Sequence, residues 1–141
     1  MKGRSDAGNA TIEFAIGVVV IIGFVAVILA LGRSVSADGA TAQAAREAAR
    51  AATLQRDATQ ARQAAQQTAY QVLQGQEIDC ASRSVSADLS GFTVPEGATG
   101  AVTVTVECVV DLDGDLWPWD MAYAATGQAT SVLDTYRGRS T

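Results

Sequence analysis

Few side chains in this sequence are placed to do chemistry, and the most conspicuous is a carboxylate. Glu13 stands at the entrance to residues 14–31, an uncharged apolar run, five residues after Gly8 and four before Gly17. A carboxylate at the centre of a membrane helix costs roughly 2.5–3.5 kcal/mol on insertion scales, and less near an interface. Its presence here therefore asks for a partner. The other reactive groups are the two cysteines, Cys80 and Cys108, and a pair of tryptophans, Trp117 and Trp119, on either side of Pro118. There is no histidine, which excludes His-based acid–base catalysis, Ser-His-Asp and Cys-His triads and His metal sites. Phosphate loops, dinucleotide-binding glycine fingerprints and zinc spacings are absent from the sequence. The expectation is a protein that is not an enzyme and uses no cofactor or metal.

The element that positions Glu13 is a helix. Residues 14–31, at 1.5 Å per residue, span about 27 Å, close to the hydrocarbon thickness of a bilayer. Lys2 and Arg4 precede the run, which orients it with a cytoplasmic N-terminus and an exported C-terminal part. A removable secretory signal would cut near Val35, Ser36 and Ala37, but the run is longer than the usual signal core and Glu13 is foreign to one. A plain signal anchor, with Glu13 reaching back to the headgroups, is the second reading. Within the run, Gly17, Gly23, Ala26 and Ala30 offer small surfaces for close helix approach.

Beyond Arg33 the chain is rich in alanine, the best helix former, with favourable Arg, Glu and Gln. The apolar helix is predicted to continue to about Leu54, with Gly39 as a weak point. Asp57 can cap a second helix over 58–74, followed by Gly75 at its C′ position. Ala58, Ala61, Ala65, Thr68, Ala69 and Val72 recur on one face of it and read as core against a sheet. After Gly75 the period changes to two. Residues 82–89 and 101–110 read as strands, with Val102, Val104, Val106 and Cys108 on one face. Pro95 and three glycines lie in the long connection between them, and a further strand is predicted within 122–132.

An exported chain with two cysteines favours a disulfide, Cys80 to Cys108; two buried free thiols are the alternative. The bond would close a loop of about 28 residues and contribute roughly 3–4 kcal/mol. Strict alternation sets Cys80 on the face of Ser82 and Ser84, opposite the valines, so a bulge or offset is needed. Residues 111–121 have acidic spacing suggestive of calcium, but Gly114 and Ala122 do not fit an EF-hand loop, and a turn at Asp113 and Gly114 is the better reading. Trp117 and Trp119 either complete the core or form a contact loop. The net charge is −5, with ten acids against Arg83 alone over 75–134, which argues against nucleic acid as a partner.

Gly8, four residues, Glu13 and the aromatic Phe14 before an apolar helix resemble the class III signal of type IV pilin-like proteins. With the stretch 32–52, GRSVSADGATAQAAREAARAA, and the paired cysteines, the chain resembles the TadE-like minor pilins, or pseudopilins, of tight-adherence (Tad/Flp) pilus systems. One Lys against nine Arg fits the actinobacterial type. The resemblance implies that a membrane prepilin peptidase cuts between Gly8 and Asn9, and that Glu13 and Phe14 serve assembly with other pilin subunits and the pilus assembly platform. Asn9 departs from the Phe or Met of many type IV pilins, which bears on N-methylation of the new terminus rather than on cleavage.

The fold expected is α+β: a cytoplasmic leader over 1–8, a transmembrane helix over 9–32, Ala-rich extracytoplasmic helices over 33–75 and a small antiparallel β head with one disulfide over 76–141. The function expected is that of a structural minor pilin supporting pilus biogenesis and adhesion. Its place is the cytoplasmic membrane, spanned once with N-terminus in and C-terminus out, and the extracellular pilus after assembly. The alternative is a single-pass, membrane-anchored binding module that does not polymerise.

Overall fold

The Ala-rich stretch after Arg33 favours helix by propensity, whereas the Val- and Ile-rich run before it is helical because an apolar run must satisfy its own backbone hydrogen bonds; together they form one long helix, α1 (Asp6–Thr53). The structure, a computed structural model, describes residues 6–95, 97–112 and 121–135. A short turn joins α1 to α2 (Ala58–Gly75), whose start is capped as the sequence predicts: the Asp57 carboxylate accepts the Gln60 N–H at 2.8 Å. Three strands follow, β1 (Ser82–Asp88), β2 (Ala101–Asp111) and β3 (Ala122–Val132), forming an antiparallel sheet in the order β1-β2-β3. A 3-10 turn over Ser90–Thr93 lies in the β1–β2 connection. Two compact units divide the chain, Met1–Arg33 and Ser34–Thr141.

The first unit is a helix whose apolar side chains are exposed on every side: Ile12, Phe14, Val19, Ile22 and Phe24 are all more than 60% accessible. A helix apolar all round has no solvent face of its own. Among the described residues it is the helix long and apolar enough to cross a membrane.

The second unit is built on small side chains. Ala44, Ala45, Ala48 and Ala49 of α1, Ala61, Ala65, Ala69 and Leu73 of α2, and Val102, Val104 and Val106 of β2 share one core. The elements expected as an Ala-rich helical segment and a β head thus pack into a single body. The α2 stripe is the predicted one with Leu73 added, while Ala58 lies exposed at the helix start. Alanine on both helices lets backbones approach closely, and α1 comes into backbone contact with β3. A Cβ placed on Gly127 would collide with the backbone of Thr41 and Ala42, so only glycine fits there. Thr41, the buried polar residue of α1, is satisfied locally: its hydroxyl donates to the carbonyls of Ala37 at 3.0 Å and Asp38 at 3.1 Å.

The end of α2 differs from the sequence expectation. Gly75 is the last helical residue rather than the residue beyond it; Gln76 is the cap, and Glu77 adopts the left-handed conformation with φ 54°. The Gln76 N–H bonds to Val72 and the Glu77 N–H to Gln74, while the Gln76 side chain reaches Gln43 of α1 at 3.1 Å. These bonds carry the helix one residue further than glycine alone would dictate.

Candidate functional site

Glu13 lies on the exposed surface of α1, in a stripe with Ala10, Phe14, Gly17, Val18 and Ile21. The spacing of three and four residues stacks them on one helix face. A Cβ on Gly17 would meet nothing, so the floor of the stripe is bare backbone with a carboxylate at its N-terminal end. Phe14, beside it, is 74% exposed. Such a face can admit a second helix closely and offer it one acceptor. Gly8 and Asn9 fall in the first turns of α1, which begins at Asp6. Asn9 and Glu13 are four residues apart, about 6 Å along the helix axis.

Cys80 and Cys108 are bonded, with Cα atoms 5.3 Å apart. The parity difficulty disappears because Cys80 is not in a strand. Residues 78–80 are irregular, Ala81 is a bend, and β1 begins only at Ser82. Freed from alternation, Cys80 turns to the buried Cys108 and joins a cluster with Ala37, Val110, Ala125 and Ile78. Arg83, the register partner of Cys108, leans away and covers the Tyr70 ring of α2 at 4.7 Å. Trp117 and Trp119 lie outside the described residues, as does most of the acidic stretch considered for calcium.

One pair escapes sequence reading altogether. The Tyr123 hydroxyl of β3 hydrogen-bonds both oxygens of Asp38 on α1, at 3.1 and 3.0 Å, although the residues are 85 positions apart. This bond, helped by desolvation and the nearby negative charge, raises the Tyr123 phenol above its ordinary value. At the other end of the sheet, the backbone N–H of Ser90 and then its side chain hold the Asp88 carboxyl below the usual range.

A family model described as TadE-like protein matches residues 8–50. Over that stretch the chain is TadE-like. The TadE-like segment opens on Gly8 itself, takes in Glu13, Phe14 and the apolar run, and closes on Arg50, wholly within α1. Asp38 belongs to it, whereas Tyr123, the strands and both cysteines lie outside it. No curated protein and no solved structure matches the chain. The exposed apolar helix within the TadE-like segment fits a single-pass membrane anchor.

Proposed function

We propose that this protein is a structural, non-enzymatic minor pilin of a Tad/Flp-type pilus, trimmed after Gly8 by a prepilin peptidase and assembled through its N-terminal helix. The observation that carries the reading is the spacing of Gly8 and Glu13 at the head of a TadE-like apolar helix whose side chains are exposed among the described residues. Cleavage creates an α-ammonium on Asn9. When helices pack side by side, that ammonium meets Glu13 of a neighbour over the groove at Gly17. Two opposite charges about 4 Å apart attract by roughly 4 kcal/mol at an effective dielectric near 20, whereas either charge alone in lipid is costly. Glu13 thus acts as a register device satisfied on assembly. Lys2 and Arg4 hold the leader in the cytoplasm, so the Ser34–Thr141 unit is exported and its disulfide forms in an oxidising compartment. In the pilus the exported unit supports biogenesis and adhesion.

N-terminal sequencing of protein extracted from membranes tests the first step. The expected chain begins at Asn9; a chain beginning at Met1 makes it an anchored module that does not polymerise. Glu13→Ala is expected to be processed normally and to be missing from sheared filaments. Normal incorporation of Glu13→Ala would sink the pairing role.

A further inference from the structure

The Ser34–Thr141 unit has two outer faces of matched chemistry. On α1 the buried residues Ala44, Ala45, Ala48 and Ala49 leave Arg46 and Arg50, one turn apart, on the side away from the sheet. On α2 the buried Ala61, Ala65, Ala69 and Leu73 leave a row of exposed glutamines at 60, 63, 67, 71 and 74. That spacing follows a single helical stripe. Among the described residues neither arginine is held in an ion pair. The helical layer therefore presents guanidinium and amide groups around one carboxylate, Glu47, which accepts a bond from the Gln43 side chain at 3.2 Å.

The sheet presents their complement. Side chains opposite the buried valines of β2 form cross-strand rows, Ser84 with Glu107 and Thr126, then Ser86 with Thr105 and Gln128. Hydrogen bonds fix them in place: Ser84 to Glu107 at 3.1 Å, and Thr103 to Thr130 at 2.9 Å. Among the described residues the charges on this face are Asp88, Glu107 and Asp111, all acidic and exposed. The base of β1, Arg83, shares the other face with Cys108.

We infer that the helical face of one copy docks on the outer sheet face of a second copy, Arg46 and Arg50 meeting Glu107 and Asp111 while the glutamine row meets the hydroxyl rows. The contact is heterologous: each copy keeps one face of each kind free, so it repeats. Single exposed ion pairs contribute little. An array of complementary charges and short, pre-ordered side chains instead fixes partner and orientation. The inference rests on the pilin reading for its use in a filament, since it supplies the contact between exported units that Glu13 supplies between membrane helices.

The test is sedimentation of the full chain in detergent at low and high salt. Wild-type protein is expected to self-associate at low salt and to dissociate as salt rises. R46E/R50E makes the helical face acidic, and E107K/D111K makes the sheet face basic; each alone is expected to lose the associated species. An equal mixture of the two is expected to restore it, because each variant then meets a complementary face on the other. All four positions are exposed, and the neutral pairs R46Q/R50Q and E107Q/D111Q take over if a reversed pair unfolds. Association that ignores salt, persists in either reversed pair, or fails to return in the mixture overturns the inference. Sequencing the N-terminus of the same preparations separates the two ideas: a start at Asn9 with no effect of charge reversal removes only the face contact. A start at Met1 with restoration in the mixture removes the pilin reading and leaves the contact.

Discussion

Gly127→Ala tests how α1 is seated on the sheet. The added methyl would lie inside van der Waals contact with three backbone atoms, the carbonyl carbon and oxygen of Thr41 and the nitrogen of Ala42. A flexible side chain could rotate away; helix backbone cannot, so either α1 or β3 must shift and open the Ala–Val core around it. Overpacking of a filled site costs about 1–3 kcal/mol and sometimes more. With backbone on both sides we expect about 2–4 kcal/mol, or a fall in Tm of roughly 8–16 °C for a unit of this size. Gly39→Ala is the control. It lies exposed within α1, its Cβ would meet nothing, and the gain in helix propensity of about 0.5–1 kcal/mol should raise Tm slightly. The assay is thermal unfolding of purified protein in detergent, followed by circular dichroism with the disulfide intact. The same chemical change should thus act with opposite sign at two glycines. A Gly127→Ala variant melting within a degree or two of wild type would show that α1 does not cross β3 at Thr41.

Cys108→Ser removes a bond closing 28 residues and should lower stability by about 3.5 kcal/mol in the loop-entropy model, measured by urea denaturation against reduced wild type, which should match it. Asp57→Ala removes the N-cap of α2 and should cost about 1 kcal/mol, with Asp57→Asn nearly neutral. For Tyr123→Phe the signature is in pH. A phenol raised above its ordinary value near pH 10 adds stability that is fully present below that value and is lost as pH climbs through the raised one. Wild type should therefore lose stability faster than Tyr123→Phe in strongly alkaline buffer. Asp88 has the opposite sense: its lowered carboxyl adds stability above the ordinary carboxylate range that is lost as pH falls through the folded value. The acid limb of the stability curve should be shallower in Asp88→Asn.

What the sequence disclosed depended on contrast. The alternation in β2 set Val102, Val104 and Val106 against Thr103, Thr105 and Glu107, and the structure buries the predicted face. Asp57 announced α2 because few residues compete for a cap. The core face of α1 was faint by comparison, because alanine carries little hydropathy contrast even though every alanine over 34–53 is buried or half-buried. Cys80 misled for a different reason: strand parity was extended two residues past the point where β1 begins. Gly8 and Glu13 stood out through their resemblance to a pilin-type signal, whereas Asp38 and Tyr123 share no local pattern that could have joined them. The role of Gly127 was equally hidden, since nothing in the strand's own sequence records the helix lying across it.

The alanine core also bears on the order in which the protein can fold. Its first half is made early: residues 37–52 emerge from the ribosome long before the strands that cover them, and Asp38 must wait for Tyr123, 85 residues later. Contacts so distant along the chain form slowly, and a helix displaying leucine or phenylalanine through that interval would seek other partners. An alanine surface is stable as a helix on its own propensity and offers little area to a wrong neighbour. Small side chains give up core energy in the finished protein, and in return the exposed half-core stays soluble until β2 and β3 arrive.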